Sequence, residues 1–228
     1  MRPYMTSALV MAIFLINAPS ARGDITSTCL QPVSSGRRIC GFARMSGGVF
    51  YNHLKSTAYS TGDDLVVDRV EEVVKETALG TYDGWTAGAG IEMGIITESG
   101  IGFGPFAQFS PSTSVTRRDS LGPGVEVEHF AGGLLLTYYP GGVDNRFYLT
   151  TKYGMANIKS NFFSEPQNGL LLGASMGVDF FTRHYFQLGV QAEVLVMLAS
   201  ETRSGDISTH EIRQRLISPG LSLTVAFR

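Results

Sequence analysis

The chain has 228 residues and a formal net charge of −2, from 18 Lys and Arg against 20 Asp and Glu. Such a balance gives no field that would favour nucleic acid, so that partner class is excluded. Only 17% of the residues are charged while 43% are hydrophobic, a low charge for a water-soluble chain and a suitable one for strands with one apolar and one polar face.

The N-terminus reads as an export signal. Arg2 is followed by an apolar run from Ala8 to Ala18, and then by the small residues Ser20, Ala21 and Gly23. The run is shorter than the roughly 20 residues a membrane-spanning helix needs, so residues 1–23 are expected to be a cleavable signal peptide, cut after Ser20 or Gly23. Residues 24–43 form a short periplasmic segment carrying both cysteines, Cys29 and Cys40. An exported chain meets an oxidising compartment, so a disulfide between them is expected. Two thiolates without a nearby His are too few for a metal site, and neither metal nor cofactor is expected elsewhere.

Eight strands of period-two alternation follow, over residues 44–59, 84–97, 101–111, 126–139, 146–157, 170–181, 184–199 and 212–227. In the second, Trp85, Ala87, Ala89, Ile91, Met93 and Ile95 share one face, opposite Thr86, Gly88, Gly90, Glu92 and Gly94. In the seventh, Phe186, Leu188, Val190, Ala192, Val194, Val196 and Leu198 oppose Gln187, Gly189, Gln191 and Glu193. This period belongs to strands, not helices. Connectors alternate in length. Residues 98–100, 140–145 and 182–183 are short, and 60–83, 112–125, 158–169 and 200–211 are long. Each strand exceeds the roughly 9–11 residues that cross a bilayer when tilted. Aromatics gather near both ends, Tyr138, Phe147, Phe180 and Phe186 beside short turns with Phe227 at the chain end, and Trp85, Phe109, Phe130 and Tyr153 nearer long loops, as interfacial girdles do.

These features predict an all-β fold over residues 44–228: an eight-stranded antiparallel up-and-down transmembrane β-barrel in a bacterial outer membrane, apolar outside and polar inside. A soluble lipocalin-like carrier would invert the faces. Both termini and the short turns then lie in the periplasm. The inward face carries Arg44, Arg146 and Lys152 against Glu92, Asp179 and Glu193. An eight-stranded barrel has room only for its own side chains, so these charges are expected to pair into a plug. A narrow polar conduit is the alternative.

In these respects the chain resembles the small eight-stranded outer-membrane barrels, the group of the OmpA transmembrane domain, OmpX and OmpW. The last strand also looks like the assembly signal of that class, with polar Ser218 and Gly220, then Leu223 and Val225, then Phe227. The resemblance implies recognition by the barrel-assembly machinery, although the chain ends on Arg228 instead of the aromatic. No peptidoglycan-binding domain follows the barrel, so anchoring of that type is not expected.

The long connector 60–83 holds Asp63, Asp64, Asp68, Glu71, Glu72 and Glu76 with interleaved valines. It reads as either a short amphipathic helix or a strand extension above the membrane, and its acids lack the ligand spacing of a calcium loop. Of the histidines, His53, His129, His184 and His210, only His210, with Asp206, Ser208 and Glu211, forms a rim cluster of catalytic residue types, and one such loop is weak grounds for an enzyme. The expectation is a monomeric, non-enzymatic barrel in outer-membrane lipid, with an envelope-structural role or a surface ligand at its loops. A narrow channel for small solutes or hydrophobic molecules is the alternative, and an acyl hydrolase a remoter one.

Overall fold

The computed structural model describes residues 29–30, 39–66, 69–117, 125–142, 145–161, 165–183, 186–204 and 208–227. The expected signal peptide, His184 and Arg228 lie outside the described residues. Nine strands form one antiparallel sheet in sequence order: β1 (Cys29–Leu30), β2 (Ile39–Val66), β3 (Arg69–Thr97), β4 (Ile101–Arg117), β5 (Val125–Tyr138), β6 (Phe147–Ser160), β7 (Gln167–Arg183), β8 (Phe186–Ser204) and β9 (Ser208–Phe227). Pairing of β2 with β9 closes the last eight into a barrel. Closure removes the sheet edges that water or another chain would otherwise satisfy.

The period-two faces predicted from the sequence are the faces of the barrel. Leu221, Leu223 and Phe227 are exposed on the outside of β9, while Ser218, Ser222, Thr224 and Ala226 are buried inside. Trp85, Phe103, Leu134, Met155, Leu170 and Phe180 are among the large apolar residues that are more than half exposed. So broad an apolar exterior is a lipid-facing surface, not a water-facing one. It is the opposite of the carrier arrangement, in which the apolar face would be the lumen.

Two differences from the sequence reading have physical causes. The strands are longer than the period-two signal. β2 begins at Ile39, before Arg44, and most of what reads as the connector 60–83 is paired strand, from Tyr59 opposite Glu76 to Val66 opposite Arg69. β4, β5, β6, β7, β8 and β9 also run into residues read as loops. Beyond the lipid the outward face no longer has to be apolar, so alternation fades from the sequence although backbone hydrogen bonding continues. The lumen is also not polar throughout. Leu54, Ile158, Leu171, Leu195, Met197 and Leu216 point inward and are buried. They lie farther from the short-turn end of their strands than the inward charges do. The buried ion pairs thus lie toward the short turns, and the lumen toward the long hairpins holds aliphatic residues together with neutral polar ones such as Asn52, Ser160 and Gln214.

At the seam, β9 pairs with β2 only as far as Ala43 opposite Phe227. Below that point β1 takes over the edge of β2, with Cys29 opposite Cys40 and Leu30 opposite Ile39. Cys40 is buried and disulfide-bonded.

Candidate functional site

The inward charges are carried by strands on opposite walls. Arg44 on β2 and Glu92 on β3 are register partners, and their side chains meet at 2.8 Å. Lys152 on β6 reaches across the lumen to Glu92 at 2.9 Å and also pairs with Glu193 on β8. Gln108 Nε2 on β4 donates to the other oxygen of Glu193 at 3.2 Å. Arg44, Glu92, Lys152 and Glu193 thus form one chain of alternating charge, and each is at most 2% exposed. Such alternation is what makes buried charge tolerable, because each ion faces an opposite one in a low-dielectric interior.

Of the six residues predicted for this network, the four above come together. Asp179 is buried as well and acts on Arg44 electrostatically. Arg146 does not join them. It is exposed, precedes β6, and contributes only its carbonyl, which accepts from the Asp179 backbone N–H at 2.9 Å. Its assignment to the lumen is corrected for a simple reason: the strand starts at Phe147, so the period-two count does not extend back to Arg146.

Two tyrosines complete the site and were not singled out from the sequence. The Arg44 guanidinium lies 3.7 Å from the centre of the Tyr148 ring, a cation–π contact, and donates to the Tyr139 hydroxyl. The Tyr148 hydroxyl donates to Gln191 Oε1 at 3.1 Å. The parity of Tyr148 was the available signal, since it sits an even number of residues before Lys152 and so shares its inward face. Gly177 makes room for it. A Cβ there would lie 2.2 Å from the Tyr148 ring.

The predicted assembly-signal residues divide between the two faces of β9. Leu223, Val225 and Phe227 face outward. Ser218 is buried inside and its hydroxyl donates to Asn52 Oδ1 at 2.6 Å. Gly220 faces the Phe50 ring.

Among the described residues, neither the His53 nor the His129 side chain is paired with a nucleophile. His53 Nδ1 lies 2.6 Å from Asp83 Oδ1, and His129 is buried. The backbone of His210 pairs with Ser60 and Arg203, but its side chain and Asp206 lie outside the described residues. In the β2–β3 hairpin, Asp63 is registered opposite Glu72 and Asp64 opposite Glu71. No group of three or more potential metal ligands occurs among the described residues.

No protein-family model and no curated protein matches the chain. Among solved structures, the outer membrane protein OprG from Pseudomonas aeruginosa is similar at 14% identity and a TM-score of 0.43, covering 78% of this chain and 95% of that one. The outer membrane protein AlkL is similar at 15% identity and a TM-score of 0.34, over 78% and 90% of the two chains. Ail of Yersinia pestis, in complex with the heparin analogue sucrose octasulfate, is similar at 9% identity and a TM-score of 0.29, over 78% and 98%. Closure of eight antiparallel strands, an apolar exterior and an ionic interior make this chain a small eight-stranded barrel of the outer-membrane type.

Proposed function

We propose that the protein is a closed, non-enzymatic monomer in the bacterial outer membrane, acting at the cell surface through the hairpins that project beyond the lipid. The observation that carries this reading is the ion-pair chain from Arg44 through Glu92 and Lys152 to Glu193, which ties opposite walls of the lumen together. Buried aliphatic and neutral polar side chains occupy the lumen beyond it. A hydrated ion would have to break buried ion pairs and shed water among these side chains, at a cost of several kcal/mol. The extended β2–β3 hairpin, with its acidic register pairs, is the surface offered to a partner.

Planar-bilayer recording tests this. The folded protein, in the form that shifts on an unboiled gel, is expected to be electrically silent. Steady unitary currents from the unmodified protein would overturn the proposal.

A second reading, passage of a small apolar solute, draws support from the aliphatic lining contributed by Leu54, Leu171, Met197 and Leu216. Proteoliposomes that take up a hydrophobic dye faster than protein-free liposomes would favour it over the closed barrel.

A further inference from the structure

We propose that the outward wall running from β6 through β7, β8 and β9 to β2 holds a lipid with an anionic phosphate headgroup, the phosphate on Lys55 and Arg215 and an acyl chain in the groove beside them. Lys55 and Arg215 are register partners on adjacent strands, and both are exposed on the barrel exterior. Like charges placed directly opposite one another repel. Among the described residues neither has an ion pair or hydrogen bond that would offset this.

Their neighbour is already satisfied. Arg213 makes a two-point contact with Glu211, Nε to Oε1 and Nη2 to Oε2, each at 2.8 Å. Its guanidinium also lies 4.7 Å from the centre of the Tyr59 ring. Glu211 is thereby committed to Arg213, and the charges of Lys55 and Arg215 remain available. Two other described positions on that rim are matched in charge. His53 meets Asp83, and Glu128 is registered opposite Lys159.

The two cations border a groove of ≈ 650 Å³ whose other walls include Arg213, Met155, Leu170 and Leu198. Met155, Leu170 and Leu198 are exposed apolar residues at the top of the lipid-facing belt. Height along the membrane normal identifies the occupant. Arg215 is twelve residues from Phe227 along β9. At about 3.3 Å per residue and a tilt of roughly 40° this is about 30 Å, slightly more than the roughly 25 Å apolar band of such barrels. The cations therefore stand at the outer headgroup level with an apolar surface directly beneath them. A soluble acidic protein would match the charges but would have no apolar chain to fill the groove beside Met155, Leu170 and Leu198. A phosphate-bearing lipid matches both halves of the site.

The test is titration of the folded protein in detergent with dioleoyl phosphatidic acid and with dioleoyl phosphatidylcholine, reading retained lipid by native mass spectrometry. The two lipids differ only in headgroup. Phosphatidic acid is expected to bind at least about tenfold more tightly. Lys55→Gln/Arg215→Gln should abolish that preference, and Lys159→Gln should leave it intact. Lys55→Arg/Arg215→Lys, which keeps both charges, should retain binding, and folding of every variant is checked by its gel shift before boiling. Equal binding of the two lipids, or unchanged preference in the folded Gln variant, overturns the proposal. Displacement of phosphatidic acid by equimolar inorganic phosphate or by polyglutamate also overturns it, because the groove would then contribute nothing.

Discussion

Arg44 and Glu92 face each other across the β2–β3 register and close to 2.8 Å inside the barrel. That pair is local to one hairpin. What makes it part of a plug is Lys152, which comes from the far wall and is 2.9 Å from the other oxygen of Glu92. Glu92 therefore carries the contact between two walls that share no backbone hydrogen bond.

Neutralising Glu92 should be costly. Glu92→Gln leaves Arg44 and Lys152 buried with one carboxylate fewer, and removal of one partner from a buried ion pair costs about 3–5 kcal/mol. The expected result is a lower urea midpoint for loss of the unboiled gel form. Arg213→Gln, which breaks an exposed pair, should leave that midpoint unchanged. Equal effects would mean that the lumen network contributes little to stability.

Gly220 should tolerate no side chain while Phe50 is present. A Cβ at position 220 would lie 2.2 Å from Phe50 Cδ1, at the β2–β9 seam where Phe50 and Gly220 are register partners. Gly220→Ala is expected to destabilise by about 1–3 kcal/mol through overpacking. Combined with Phe50→Leu it should cost less than the sum of the two single changes. Strict additivity would place the strain elsewhere.

The disulfide at Cys40 should add to stability at the seam. The register sets Cys29 opposite it. A loop of this length confers roughly 2–3 kcal/mol in the chain-entropy account. Replacing both cysteines by Ser should lower the unfolding midpoint accordingly. A thiol-reactive dye should label the native protein only after reduction. Labelling without reductant would show that the bond does not form.

The paired extension beyond Tyr59 places Arg69 and Lys75 in the outer part of the β2–β3 hairpin, which in the proposed orientation faces the cell surface. Trypsin added to intact cells should therefore cut there, and Arg69→Gln/Lys75→Gln should remove the cuts. Cleavage only after cell lysis would reverse the assigned orientation of the barrel.

The barrel itself was legible in the sequence because lipid imposes a strict rule. Every second residue of a crossing strand must be apolar, and no backbone group can be left unpaired. Trp85 to Ile95 and Phe186 to Leu198 obey this so fully that face, strand count and short turns follow from alternation alone. The rule lapses where lipid ends. The strand halves beyond Tyr59 and before Asp83 read as a connector because no lipid demands alternation there, and Arg146 falls in the lumen only if the alternation is carried past the start of its strand.

The chain by itself determined which residues turn inward, since parity along a strand is a local property. Tertiary structure decided which of them meet. The tilt and stagger of a closed sheet set how far one wall is offset from another, and no pattern within a single strand contains that offset. It is what brings Lys152 between Glu92 and Glu193, gathers Leu171, Met197 and Leu216 in the lumen, and sets Lys55 beside Arg215 at the membrane surface.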